Sequence, residues 1–429
     1  MSSALLTDRY ELTMLEASLH SGTAGRDSVF EVFARRLPEG RRYGIVAGTG
    51  RFLELLADFR FGEAELDWLR EASVVDGATL DWLADYRFSG SIRGYREGEP
   101  YFPGSRLLVV ESSFAEGVLL ETLALSVLNH DSAVASAAAR MVSAADGRPL
   151  AEMGSRRTGE QSAVSAARAA WIAGFGATSN LEAGRAWGLP TMGTAAHAFT
   201  LLHDSEEDAF RAQVATLGPG TTLLVDTYDI PRAVETAVRV AGTGLGAVRI
   251  DSGDLPLVVA RVREQLDRLG ATRTRITVTN DLDEHTIAAL RAAPVDSYGV
   301  GTSVVSGSGH PAAGMVFKLV ARVDDAGEWV SVAKSSAAKA TVGGRKHAVR
   351  VLRDGVAVEE RIKIGGTTTE DDERALLVPL VTDGVVDERW TGADGTARAR
   401  EHRATAVAEL PHEALRLSRG EAVLPTVYA

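Results

Sequence analysis

The sequence predicts an α/β protein, with a parallel strand–helix segment between two flanking segments of different character. Three observations point that way. Between Glu152 and Thr302, short apolar runs alternate with helical patterns, the mark of βαβ units and a parallel sheet. Charged and hydroxyl residues follow nearly every run, at the strand ends where such sheets keep their chemistry. After Gly314 the pattern turns to alternating strands separated by turn residues.

Composition narrows the function. The 429 residues are enough for two or three domains, and 45% hydrophobic with 24% charged residues describes an ordinary globular chain. A net charge of −12 disfavours non-specific nucleic-acid binding. The absence of cysteine excludes disulfides, thiolate metal sites and a cysteine nucleophile. No signal-like start is visible and no apolar run reaches the roughly 18 residues of a membrane span, so the expected location is the cytoplasm, without membrane attachment. The only lysines are Lys318, Lys334, Lys339, Lys346 and Lys363. An anion bound between Glu152 and Thr302 must therefore use arginine, histidine, backbone N–H groups or a metal, and a Schiff-base lysine there is excluded.

The elements follow in order. Leu5–Glu16 reads as a helix with Thr7 as N-cap and Leu12, Leu15 and Leu19 as its apolar stripe. Tyr10 stands among polar neighbours, as a packing aromatic or a ligand contact. Ser28–Phe33, Phe88–Ile92 and Leu107–Glu111 read as strands, and Arg51–Phe59 and Ala64–Glu71 as helices. Residues 1–112 thus form an α+β domain. Glu116–His130 and Ser132–Ala145 read as two helices. The barrel-like part, 113–315, has strand patterns at Glu152–Gly154, Pro190–Gly193, Thr222–Val225, Ala247–Ile250, Ile276–Thr279 and Ser297–Val300. Helical patterns fill Gln161–Phe175, Asn180–Trp187, Ser205–Leu217, Pro231–Val240, Pro256–Leu269 and Asp283–Ala292. Residues 316–429 are mostly β, with strands at Val316–Val323, Trp329–Ala333, His347–Leu352 and Val356–Ile362, a loop at Thr367–Arg374 and a short helix near His412–Leu417.

Three constellations carry chemistry. Gly299–Thr302 (GVGT) ends the last clear strand, where small residues admit a phosphate to backbone N–H groups. Arg249–Asp254 (RIDSGD) gathers a cation, two carboxylates and a hydroxyl; its acids suit ribose hydroxyls or Mg²⁺, or simply an acidic helix start before Pro256. His197, in GTAAHAF just after a strand, is a structural histidine or a base or phosphoryl acceptor. It has no metal-ligand spacing with His203 or His310, so no zinc is expected.

With these residues in view, the chain resembles the nicotinate phosphoribosyltransferase family. The resemblance is ordered along nearly the whole chain. It is carried by TDRYELTM (Thr7–Met14), FEVFARRLP (Phe30–Pro38), GSRR (Gly154–Arg157), TSNLEAG (Thr178–Gly184), GTAAHAF (Gly193–Phe199), RIDSGDL (Arg249–Leu255), YGVGTSVV (Tyr298–Val305) and a later stretch, Lys334 to Arg350. It implies an irregular (β/α) barrel of the type II phosphoribosyltransferase kind beside an α+β sandwich domain built from both chain ends. It implies the ligase-classified, ATP-coupled joining of nicotinate to phosphoribosyl pyrophosphate, giving nicotinate mononucleotide and pyrophosphate, with Mg²⁺ required and a homodimer as the working form. By that resemblance Tyr10 stacks on the pyridine, Thr194 and Arg249 hold nicotinate, and Arg157 is a further anion contact. His197 is the phosphorylated histidine, Asp251 contacts ribose, and Gly299, Gly301 and Thr302 cradle the 5′-phosphate. The metal ligands are not specified.

Two departures from the family pattern are visible. Met153 stands where an aromatic is common, and Gly343 where proline is common. A nicotinamide or quinolinate phosphoribosyltransferase, a barrel lyase or isomerase for sugar phosphates, and a non-catalytic sensor of such metabolites are the rival readings. Arg249 argues against neutral nicotinamide, and the missing barrel lysines argue against quinolinate.

Overall fold

The computed structural model describes residues 2–334, 342–365 and 369–429. Lys339, Thr341 and the start of the loop expected at Thr367 lie outside the described residues. The chain forms two compact units, one from 1–136 and 310–429, the other from 137–309.

The central unit carries six parallel strands: β1 (Leu150–Glu152), β2 (Ala177–Thr178), β3 (Thr222–Leu224), β4 (Ala247–Ile250), β5 (Arg275–Val278) and β6 (Ser297–Val300). Their order across the sheet is β2-β1-β6-β5-β4-β3. Helices follow them at Glu160–Ala173, Leu181–Trp187, Glu206–Leu217, Ile230–Ala241, Leu255–Arg268 and Glu284–Ala289. The strands are short, and their apolar positions are buried on both faces, as parallel sheets demand. Helix starts are fixed by side chains: Asn180, Ser205, Asp229 and Asp283 each accept a first-turn N–H. The sheet is a curled half-barrel rather than a regular closed one. The strand expected at Pro190–Gly193 is reduced to one bridge, Thr191 to Thr178. Pro190 has no N–H to offer, so only its carbonyl and Met192 N–H join the ladder, both to Thr178.

The flanking unit is a sandwich made from both ends of the chain. One sheet has seven strands, in the order Trp329–Ser331, Met315–Val323, Asp27–Ala34, Arg106–Ser113, Ser91–Tyr95, Leu377–Thr382 and Val385–Val386. The other has four: Glu373–Ala375, Lys346–Arg353, Val356–Ile364 and Thr426–Tyr428. Side chains join the two sheets, with Tyr95 donating to Glu360 at 2.8 Å and Lys346 to Glu31 at 3.1 Å.

Several local expectations are corrected. Asp8, not Thr7, is the N-cap of the first helix (Arg9–His20), and Thr7 bonds Glu11 instead. The two helices expected over Glu116–Ala145 are a five-residue turn and one helix of 25 residues, Glu121–Ala145. The polar run Asn129–Ser132 suggests a break, but tertiary partners satisfy it: Asp131 pairs with Arg51 at 3.0 Å, and Ser132 accepts from Ala47 N–H at 3.1 Å. The helix Gly392–Ala408 has no sequence forecast, because it buries only Gly395, Thr396, Ala399 and Ala406 and shows no apolar stripe.

Candidate active site

The strand tips of the central unit are where the expected residues meet. Arg249 is the last-but-one residue of β4, and its side chain is 15% exposed. Its Nε donates to Thr279 Oγ1 at 2.9 Å, Nη1 to Thr194 Oγ1 at 3.0 Å, and Nη2 to Asp251 at 3.3 Å. Thr279 in turn donates to the other Asp251 oxygen. The guanidinium is therefore held in one plane by three partners, and this fixes its direction before any ligand arrives.

Asp226, beyond β3, organises the next turn. One of its oxygens accepts from Asp251 N–H at 2.9 Å and from Ser252 Oγ at 2.7 Å. Its other oxygen is buried without a hydrogen-bond partner among the described residues. Nearby Glu206 is pushed up to about 7 by burial; Arg232 opposes this, and the charges of Asp229 and Asp226 add to it. Asp254 is the N-cap of Leu255–Arg268 but makes no capping bond, so its side chain is not spent on the helix.

His197 begins the short helix His197–Leu202, with its side chain 42% exposed. Its Nδ1 lies 3.1 Å from Thr227 Oγ1, and its Nε2 lies 3.9 Å from Asp251. Thr194, His197, Arg249 and Asp251 thus form one connected group.

The glycine segment lies on β6, separated from β4 by β5. A Cβ on Gly299 would fall 2.6 Å from Thr279 Cγ2 and 2.7 Å from Met153 Sδ, so any larger residue must displace one of these side chains. A Cβ on Gly154 would fall 2.2 Å from Val305 Cγ1, which brings the GSRR loop against the turn after β6. Gly301 is less crowded, with its nearest neighbour at 3.4 Å. Thr302 is exposed beside it. Arg157 follows β1, the neighbour of β6; its side chain is exposed and bonds no other described residue. At the base of this loop Glu152 is fully buried, accepting from Gly154 N–H and from Thr178 Oγ1 at 2.6 Å, and burial raises its pKa. Met153, one of the two departures, fills the space beside Gly299.

Tyr10 lies in the sandwich unit, on the first helix, 45% exposed. Its hydroxyl is pushed up to about 12 by burial and by Glu121 and Glu11, so it stays protonated. It borders a 370 Å³ hollow with Asn129, His130 and Pro311.

Three residues at the strand tips have no role in the sequence reading: Thr279, Thr227 and Asp226. Thr279 reads as the end of an apolar run. Its signal is the two-residue period shared with Thr277, which places a hydroxyl on the same face as the adjacent strand's functional side chains.

A family model for the nicotinate phosphoribosyltransferase (NAPRTase) N-terminal domain matches residues 5–129. A nicotinate phosphoribosyltransferase of Mycobacterium tuberculosis is 57% identical over 435 aligned residues, covering 99% of this chain and 95% of that protein. The chain belongs to the nicotinate phosphoribosyltransferase family. A nicotinate phosphoribosyltransferase of Bacillus subtilis is 36% identical, covering 82% of this chain and 74% of that protein. The crystal structure of human nicotinic acid phosphoribosyltransferase superposes with a TM-score of 0.83 at 24% identity, over 99% of this chain and 97% of that one. That likeness concerns the fold, and it agrees with the expected type II architecture of irregular barrel and sandwich.

Proposed function

We propose that this enzyme joins nicotinate to phosphoribosyl pyrophosphate, releasing nicotinate mononucleotide and pyrophosphate, with ATP hydrolysis coupled to the synthesis. The observation that carries the reading is the fixed Arg249 guanidinium at the tip of β4, held by Thr194, Thr279 and Asp251. A planar cation in that position suits a carboxylate, which nicotinate has and nicotinamide lacks. Identity of 57% over almost the whole chain supports the same activity.

The reaction asks little covalent chemistry of the protein. As pyrophosphate leaves C1 of the ribose, the C–O bond electrons go with it, and the pyridine nitrogen supplies the pair for the new C–N bond. Positioning and neutralisation of charge supply the rate. Arg249 orients the acid, Asp251 takes the ribose hydroxyls, and Gly299, Gly301 and Thr302 receive the 5′-phosphate. Arg157 faces the remaining negative charge. For Mg²⁺ the fit is good: Asp226 has a buried oxygen without a partner and Asp251 lies beside it, and Mg²⁺ favours one or two carboxylates completed by substrate phosphates. Bound there, the ion would neutralise the pyrophosphate leaving group.

His197 is the phosphoryl acceptor in this reading. With Nδ1 protonated and donating to Thr227, Nε2 keeps its lone pair for the γ-phosphorus of ATP, and ADP departs. The phosphorylated ring carries about −2 more charge 3.9 Å from Asp251, enough to rearrange its loop. The working form in this reading is a cytoplasmic homodimer, with Tyr10 stacking on the pyridine. Among the described residues no helix is long and apolar enough to cross a membrane.

The test follows mononucleotide formation from nicotinate and phosphoribosyl pyrophosphate with Mg²⁺, with and without ATP. Wild-type enzyme is expected to gain turnover or yield from ATP, and His197→Gln to lose that gain while keeping basal turnover. Full coupling in His197→Gln would remove His197 from the mechanism; turnover of nicotinamide in preference to nicotinate would remove the role of Arg249.

A further inference from the structure

The sandwich unit carries a charged cleft that the proposed reaction does not use. It encloses about 330 Å³ and is lined by Arg93, Glu111, Arg345, Lys346 and His347 among others. Glu111 holds both guanidiniums: Arg93 Nη2 donates to one oxygen at 2.6 Å and Arg345 Nη2 to the other at 2.8 Å. Arg345 also lies over the Trp329 ring at 5.1 Å. Two forks are thus fixed in place by one carboxylate, leaving a positive excess. Lys346 is neutralised separately by buried Glu31. The remaining group is His347, whose Nδ1 is buried and has no hydrogen-bond partner among the described residues. Burial first, then the charges of Arg93 and Lys363, push His347 below its ordinary pKa, with Glu373 opposing. Arg93 and Arg345 against the single carboxylate of Glu111 leave the cleft one positive charge in excess, in a chain whose net charge is −12. Two oriented guanidiniums match a doubly charged oxyanion, and the space lies in the range of small-metabolite sites.

We propose that this cleft binds a dianionic phosphate group, free or as the ester of a small metabolite, through Arg93 and Arg345. The residues that line it all belong to the sandwich unit, and the proposal does not depend on the reaction proposed at the strand tips.

Calorimetric titration of the full chain tests it, with inorganic phosphate and ribose 5-phosphate as probes. Arg157→Ala/Thr302→Val, which should weaken phosphate binding at the strand tips, should retain the cleft's binding event. Arg93→Gln/Arg345→Gln should weaken the cleft's event by about tenfold or more, since each charge-assisted pair carries at least that much. Glu111→Gln keeps both arginines and removes their internal counter-charge, so it should tighten binding by about threefold or more. A purely structural Glu111–arginine cluster would not show that gain. The tighter of the two probes identifies the source of the phosphate. Binding that is unchanged in Arg93→Gln/Arg345→Gln, or weakened in Glu111→Gln, would overturn the proposal.

Discussion

The strand tips of the central unit and the interior of the sandwich unit are both rich in charge, yet they spend it differently. In the sandwich, charges are buried and mostly paired with one another. Glu99 accepts from Arg374 at 2.8 Å and from His402 at 2.7 Å, and Arg350 reaches Glu360 at 3.0 Å with Tyr95 closing the group. Arg350, Glu99 and Glu360 are each at most 1% exposed. At the strand tips the charges remain partly open: the His197 side chain is 42% and that of Asp251 29% exposed, and the Arg157 side chain bonds no other described residue. Closed networks hold a fold together, whereas open ones keep bonding capacity for a ligand. Counting acidic and basic residues would not separate the two; their access to water does, since Arg350 and Glu360 are sealed off while His197 and Asp251 stay within reach of a ligand.

Removing a charge from each region should separate stability from activity. Arg249→Ala is expected to lower kcat/KM for nicotinate by about a thousandfold, the scale of losing a positioned charge from a reacting site. Its Tm should move far less than that of Arg350→Ala, because Asp251 stays half-open to water. Arg350→Ala leaves Glu99 and Glu360 buried with one partner fewer, a loss of about 3–5 kcal/mol. Scanning calorimetry and steady-state kinetics on both variants make the check. An Arg249→Ala enzyme that melts early and keeps its kcat/KM would place Arg249 with the structural charges.

The difference between the regions also explains what the sequence revealed. β6 is read with its observed bounds, and Arg249, His197, Asp251 and the GVGT segment are visible because polar residues directly after apolar runs have few structural reasons to be there. Thr279 reads only as the end of an apolar run, and Asp226 stands at a strand end without a role, because their importance lies in partners 28 and 25 positions away, which no local pattern encodes. The sandwich hides more. Its pairs are far apart in sequence, Glu31 and Lys346 by 315 positions, and the final helix covers its neighbours with alanine and glycine rather than an apolar stripe.

The glycines sharpen the comparison within the site itself. Gly299→Ala must push aside Thr279 or Met153, and Thr279 is one of the three partners that hold Arg249. A loss of about 10- to 100-fold in kcat/KM is expected, as for a small displacement of positioning groups. Gly301→Ala meets only an ordinary protein contact at 3.4 Å and a negative φ, so kcat should stay near wild type and its loss should fall on KM for phosphoribosyl pyrophosphate, whose phosphate it would crowd. Equal losses in both would mean that the segment matters through its own flexibility and not through the crowding behind it.

The smallest effect concerns two acids of the sandwich unit whose environments act in opposite directions. Burial works against ionisation of Glu99, but hydrogen bonds from His402 and Arg374 hold its carboxyl at about 2. Its contribution is present above the unfolded value of about 4.5 and lost as pH falls through about 2. Glu11 is also buried, and its neighbours are weaker: Thr122 donates from both N–H and hydroxyl, Thr7 donates its hydroxyl, and Glu121 repels it. Burial therefore wins, and its carboxyl is pushed up to about 7. A raised carboxyl stabilises the fold fully below the unfolded value and loses that contribution as pH rises through about 7. Glu11→Gln removes the titration and keeps an acceptor for Thr122. Relative to wild type, its Tm should rise by about 2 °C between about pH 5 and pH 8.5, measured by calorimetry. A constant difference across that range would mean that Glu11 stays ionised in the fold, as Glu99 does.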